Sequence, residues 1–175
     1  PTLREGNSAV GHQLSAEHIA AYCKAADAAG VSIVEVGHGN GLGASSLQLG
    51  ESKTPDHIAL ATARENLSKS KLSVHVIPGF ATIERDLKPA LALGVDVVRV
   101  ASHCSEADIC ERHIGFSRSQ GVEVWGCLMM SHMISPTLLL EQARKMESYG
   151  AEGVVFMDSS GHFIPEDVRQ RVETL

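Results

Sequence analysis

The chain has 175 residues, 43% hydrophobic and 21% charged, which is the balance of an ordinary globular domain long enough to enclose a core. Its net charge of −6 comes from interspersed acids and bases, which argues against a nucleic-acid partner, since that needs a concentrated basic face. No apolar run approaches the roughly 20 residues that cross a bilayer, and no basic stretch followed by an apolar one opens the chain, so a cytoplasmic protein without a membrane partner is expected.

In chain order, Thr2-Leu3 reads as the tail of a first strand, and Ser15 precedes a helical pattern over residues 17–29. Short β-branched runs at 32–36, 72–77, 96–101, 122–129 and 153–157 read as strands. Each is apolar at nearly every position, the mark of parallel strands covered by helices on both faces. Between the last three, Ser105 with Asp108 three residues on reads as a helix cap, and Ser135-Pro136 as a cap followed by a proline in the first turn. Gly30, Gly94, Gly121 and Gly150 each close a helix just before a strand, as left-handed C-terminal caps do. The phrases around them, DAAGVSIVEV, LALGVDVVRV, SQGVEVWG and SYGAEGVVF, are alike and describe a repeated strand-helix unit of roughly 25–40 residues. The expected fold is α/β, a TIM (β/α)8 barrel of which this chain holds about the first six units, since a closed barrel takes eight over typically ~250 residues. The rival is an open doubly wound sheet, which more often carries a glycine-rich phosphate loop after its first strand. The chain opens on Pro1 without an initiator Met, and a helical pattern runs to Leu175 without a stop signal, so a piece of a longer protein is expected. Cys23, Cys104, Cys110 and Cys127 lie inside regular elements and read as reduced thiols.

In such a barrel the chemistry sits at the C-terminal ends of the strands. Reading past each strand in turn gives Arg4-Glu5, Glu35 with His38, His75, Arg99 with His103, Ser131-His132 and Asp158-Ser159. Any one of these is as readily a buried polar group satisfied by its neighbours; the concentration at strand ends points to a site. An arginine beside a carboxylate there is either a structural ion pair or a pairing of oxyanion stabiliser and cation ligand. The stretch GHGNGLGASS, residues 37–46, has glycines spaced too closely for a dinucleotide fingerprint and reads as a flexible loop over the site.

Several segments carry a resemblance: TLREG at 2–6, IVEVGHGNGL at 33–42, VVRVASHCSEAD at 97–108, LMMSHM at 128–133, MESYGA at 146–151 and Asp158-Ser159. Together they are similar to the 4-hydroxy-2-oxovalerate aldolases, within the wider metallolyase superfamily of hydroxymethylglutaryl-CoA lyase and isopropylmalate synthase. The resemblance implies a carbon-carbon lyase that cleaves a 4-hydroxy-2-oxoacid to pyruvate and an aldehyde with a divalent metal, Mn2+ foremost and Mg2+ or Co2+ as alternatives, in aromatic hydrocarbon breakdown. It implies that Arg4 stabilises the enolate, Glu5 ligates the metal, Glu35 holds Arg4 or the loop, and Ser159 contacts the substrate carboxylate. His132 belongs to the same substrate-facing set, and Arg99 and His103 support it from the neighbouring strand. Three departures accompany it. The family's catalytic base is a histidine where this chain has Ser8; His12 follows one turn later, where the family also has a histidine, so another role is expected of it, and His75, on a pocket-lining position that is leucine in the family, is the candidate replacement base or a selector of a more polar substrate. The family's remaining metal ligands are a His-x-His pair, which this chain lacks, and its C-terminal domain, through which it contacts an acylating aldehyde dehydrogenase, is absent. Residues 1–175 are therefore expected to be the N-terminal part of the barrel, in an oligomeric parent. The alternatives are a Claisen-type relative joining an acyl-CoA to a 2-oxoacid, and a catalytically silent homologue or fragment.

Overall fold

The computed structural model describes residues 2–175. The elements in order are α1 (Glu5–Ala9), α2 (Ala16–Ala28), β1 (Ile33–Glu35), α3 (Asp56–Glu65), β2 (Lys71–Val76), a π-turn over Ile83–Leu87 continuing into α4 (Lys88–Ala92), and β3 (Val97–His103). Then follow a 3-10 turn over Ala107–Cys110 leading into α5 (Glu111–Ser119), β4 (Glu123–Met129), α6 (Pro136–Ser148), β5 (Gly153–Phe156) and α7 (Pro165–Thr174). The strands lie in chain order, β1-β2-β3-β4-β5, and the registers are parallel, with Glu35 opposite Ser73 and Leu128 opposite Phe156. All five expected strands are present to within a residue or two. The expected sixth, at Thr2-Leu3, is a single parallel bridge from Leu3 to Val36. The described residues form two compact units, the first ending at Val98 and the second Arg99–Leu175.

In the first unit Leu72, Val74 and Val76 of β2 are buried together with Ile19 and Cys23 of α2, Leu60 and Ala63 of α3, and Leu87. Adjacent positions point to opposite faces of a strand, so burial of five consecutive β2 residues means that both faces are covered. Polar staples close this core at the strand entrances. Asp27, on the last turn of α2, accepts the backbone N–H groups of Ser68, Lys69 and Ser70 and the Ser68 hydroxyl ahead of β2. Asp96 accepts Leu72 N–H at 2.8 Å and pairs with Arg64, whose other contacts are the carbonyls of Leu67 and Gly94.

In the second unit Ile114, Val124, Leu128, Leu139 and Met146 pack with three buried thiols, Cys104, Cys110 and Cys127. Burial pushes the Cys110 thiol up to about 11, as it does Cys23 in the first unit, so both behave as small apolar groups. All the cysteines are reduced, as expected. The four helix-closing glycines have φ between +74° and +108°. Ser135 accepts Leu138 N–H ahead of α6, as read from the sequence. Ser105 does not cap: Glu106 takes the N-terminal position of the 3-10 turn, and the Ser105 hydroxyl instead bonds His103 Nδ1 at 2.8 Å.

Candidate functional site

The bridge from Leu3 to Val36 sets the next residue, Arg4, beside the end of β1, where its side chain is 8% exposed. Its guanidinium makes three contacts: Nε to Glu35 Oε1 at 2.5 Å, Nη1 to the Gly39 carbonyl at 2.6 Å, and Nη2 to Glu5 Oε2 at 2.6 Å. Glu35 is buried and Glu5 is 70% exposed, so one carboxylate anchors the cation from inside and the other meets it at the solvent side. A guanidinium carries five N–H donors, and three are used in these contacts. The remaining two have no partner among the described residues.

The loop after β1 is pinned rather than flexible. Asn7 donates to the Gly37 carbonyl, and His38 is fully buried. Its Nδ1 accepts Asn40 N–H at 3.0 Å, so the ring proton resides on Nε2, which donates to the Gly50 carbonyl at 3.0 Å. His12 stacks on His38 with ring centroids 3.7 Å apart and planes 9° from parallel. Burial, and then the neighbouring His38, lower the His12 pKa below the ordinary histidine value. The alternating glycines make this packing possible. A Cβ on Gly39 would occupy the position of the Ser8 hydroxyl and lie 3.1 Å from His12 Nε2, and one on Gly41 (φ +92°) would lie 2.5 Å from the His75 carbonyl oxygen. Their spacing is the signal in the sequence that the backbone is closely approached here, and a flexible-loop reading misses it.

His75 lies two positions beyond Ser73, the residue opposite Glu35, so it shares the sheet face of Glu35 and Arg4 one step nearer the strand's C-terminal end. It is buried, and its carbonyl accepts Leu42 N–H at 2.8 Å. Ser8 is exposed on α1, four residues after Arg4. The first unit thus gathers Arg4, Glu5, Ser8 and Glu35 around Gly39, with His75 against Gly41.

In the second unit Arg99 Nη2 lies 4.0 Å from Met157 Sδ, and His103 Nε2 lies 3.4 Å from Met133 Sδ. Ser159 Oγ accepts Met130 N–H at 3.1 Å; Met130 has the left-handed φ of +56°. His132 stands 3.7 Å from Asp158 and within 3.3 Å of the Ser160 hydroxyl. Burial works against ionisation of Asp158, but the N–H groups of His162 and Phe163 and the nearby His132 and His162 outweigh it, holding the carboxyl below its usual range. Arg171 of α7 secures this end: it donates to the carbonyls of Ser131 and Ile134 and lies 4.3 Å from the centre of the Phe163 ring.

Among the described residues no three histidine, cysteine, aspartate or glutamate side chains converge on a point that would hold a metal ion. Glu5 offers a single carboxylate already engaged by Arg4, so this chain's residues do not by themselves make a cation site. Nor, among the described residues, is any helix long and apolar enough to cross a membrane.

The HMGL-like family model matches residues 1–175, and the chain belongs to that family. It is 62% identical over 175 residues to the 4-hydroxy-2-oxovalerate aldolase of Pectobacterium atrosepticum, covering all of this chain and 51% of that protein. It is 63% identical over 174 residues to the protein of the same name from Spirochaeta aurantia, covering 99% of this chain and 51% of that one. The chain therefore spans about half the length of these relatives. The carboxyl transferase domain of Rhizobium etli pyruvate carboxylase, solved with pyruvate and biocytin, shares the fold with a TM-score of 0.80 at 13% identity, over 99% of this chain and 32% of that one. The α/β class and the consecutive parallel strand-helix units expected of a TIM barrel are those of this family.

Proposed function

We propose that the protein containing this chain cleaves a 4-hydroxy-2-oxoacid to pyruvate and an aldehyde, and that residues 1–175 are the part of its barrel that carries the enolate-stabilising arginine. The observation that carries the reading is Arg4: a buried guanidinium held by Glu35 and the Gly39 carbonyl, with two N–H donors that have no partner among the described residues. Relatives above 60% identity bear the aldolase name. Retro-aldol cleavage converts a neutral ketone oxygen into an enolate, so a fixed cation beside that oxygen acts on the transition state more than on the substrate. Glu35 orients the cation from inside the fold, and this pre-organisation means that little rearrangement is needed as charge develops. His75, on the same sheet face, contacts the substrate and favours a polar one, Ser159 is assigned to the substrate carboxylate, and His132 is counted among the substrate-binding residues. Glu5 is the one residue of this chain that would hold a divalent cation, Mn2+ in the first instance, which would supply further polarisation of the 2-oxo group.

The test is pyruvate release from 4-hydroxy-2-oxopentanoate by the full-length protein with Mn2+ and without CoA esters. Arg4→Lys is expected to lower kcat on the order of 100-fold, as loss of a placed oxyanion donor does. No pyruvate, or a requirement for an acyl-CoA, would reject this reading in favour of the Claisen-type or silent alternatives.

A further inference from the structure

We propose that Ser8 and His12 form a proton relay that performs the base step of the cleavage, with Ser8 Oγ meeting the substrate hydroxyl and His12 Nε2 taking the proton behind it. The proposal rests on the aldolase reading above. Four observations converge on it. His12 is 8% exposed, and its Nε2 is buried with no hydrogen-bond partner among the described residues, an arrangement that costs stability. That atom and the Ser8 hydroxyl both border Gly39, because a methyl-sized volume on its Cα would meet both. The ring is held rigidly. It stacks on His38, whose own two nitrogens are committed to Asn40 and Gly50, and it hangs from a non-glycine residue at φ +61°, a conformation that the surrounding packing must enforce. Finally, the Ser8 hydroxyl lies beside the cation assigned to the enolate: Arg4 holds the Gly39 carbonyl at 2.6 Å while Ser8 lies against the Cα of the same residue.

A serine hydroxyl alone is a poor base at neutral pH, and an imidazole behind it supplies the missing basicity. Burial and His38 keep His12 unprotonated near neutrality, which leaves Nε2 a lone pair to accept with. The bond between the two side chains closes in the substrate complex, as catalytic hydrogen bonds often do. In the step itself, the substrate C4 hydroxyl gives its proton to Ser8 Oγ as the serine proton passes to His12 Nε2. The C4–O electrons form the aldehyde carbonyl, the C3–C4 bond breaks, and its electron pair becomes the pyruvate enolate facing Arg4. The imidazolium proton returns through Ser8 to the enolate carbon, so no co-reactant is consumed.

The experiment uses the full-length protein with Mn2+ and measures pyruvate release by Ser8→Ala, Ser8→Thr, His12→Asn and the Ser8→Ala/His12→Asn double variant, with melting temperatures recorded alongside. Expected are losses of about 100-fold or more in kcat for Ser8→Ala and His12→Asn with KM little changed, a double variant no worse than either, and rescue by Ser8→Thr to within about tenfold. A Ser8→Ala or folded His12→Asn variant within about threefold of the wild type overturns the relay, as do single losses that multiply in the double variant. Should His12→Asn fail to fold, 15N resonances of the wild-type imidazole decide: a proton on Nδ1 with Nε2 bare supports the relay, and a proton on Nε2 overturns it. A wild-type protein that releases no pyruvate overturns the aldolase reading and the relay with it.

Discussion

Arg4 shows how one side chain can be legible in a sequence while its partner is not. Its sequence neighbour Glu5 suggests an ion pair at once, yet the buried anchor is Glu35, 31 positions away, brought there by the pairing of Leu3 with Val36. Removing one partner of a buried pair leaves the other charge uncompensated, so Glu35→Ala is expected to cost about 3–5 kcal/mol in denaturant unfolding, with Glu35→Gln in between. Asp27 gives a second prediction, through pH. The backbone N–H of Ser70, the Ser68 hydroxyl and the backbone N–H of Lys69 hold its carboxyl well below the usual aspartate range, so the folded state releases this proton more readily than the unfolded chain. Its stabilisation is full above the ordinary aspartate pKa and is lost as pH falls through that range toward the depressed folded value. Asp27→Asn is expected to lower the melting temperature at pH 7 and to flatten its decline in acid; an unchanged acid profile in thermal scans would refute the assignment.

At the scale of elements, the strands were readable because burial on both faces leaves no polar alternation to confuse with a helix, and the glycine-closed helices because only glycine takes a positive φ without cost. What eluded the sequence were contacts between segments: the loop over residues 37–46 is pinned by Arg4, Asn7, His12 and His75, none of them adjacent to it in the chain. The β4–β5 pair offers a test of this level. Trp125 lies opposite Gly153 in register, and a Cβ on Gly153 would come 2.7 Å from Trp125 Cε3. Gly153→Val is therefore expected to displace the indole and destabilise the protein by about 1–3 kcal/mol through overpacking. Trp125 is the single tryptophan, so its fluorescence reports the displacement directly. Unchanged emission together with unchanged stability would refute the packing argument.

For the whole molecule, α7 and its two capping residues carry an exposed apolar stripe: Ile164 and Val172 are each 60% exposed, with Val168 and Leu175 at helical spacing from them. The isolated 175-residue chain is expected to self-associate through such surface, and a monodisperse monomer in light scattering would contradict this. The proposed function also implies that the full-length protein loses pyruvate release on treatment with EDTA and regains it with Mn2+, Mg2+ and Co2+ being compared in parallel. Glu5→Ala is expected to raise the Mn2+ concentration needed for half-maximal activity, and unaltered metal dependence would remove Glu5 from the ligand set.

The sequence by itself determined the α/β class, the order and direction of the strands, the family, and the polar residues at the strand ends. All of these are encoded in local pattern: periodicity, glycine spacing and contiguous motifs. Tertiary structure decided which of those residues meet. It paired Arg4 with Glu35, stacked His12 on His38, set Ser8 against Gly39 and redirected Ser105 from a helix cap to His103. Each of these rests on the approach of backbone segments set by strand pairing, and a hydrogen bond or a ring stack depends on distances in space that spacing along the chain does not specify.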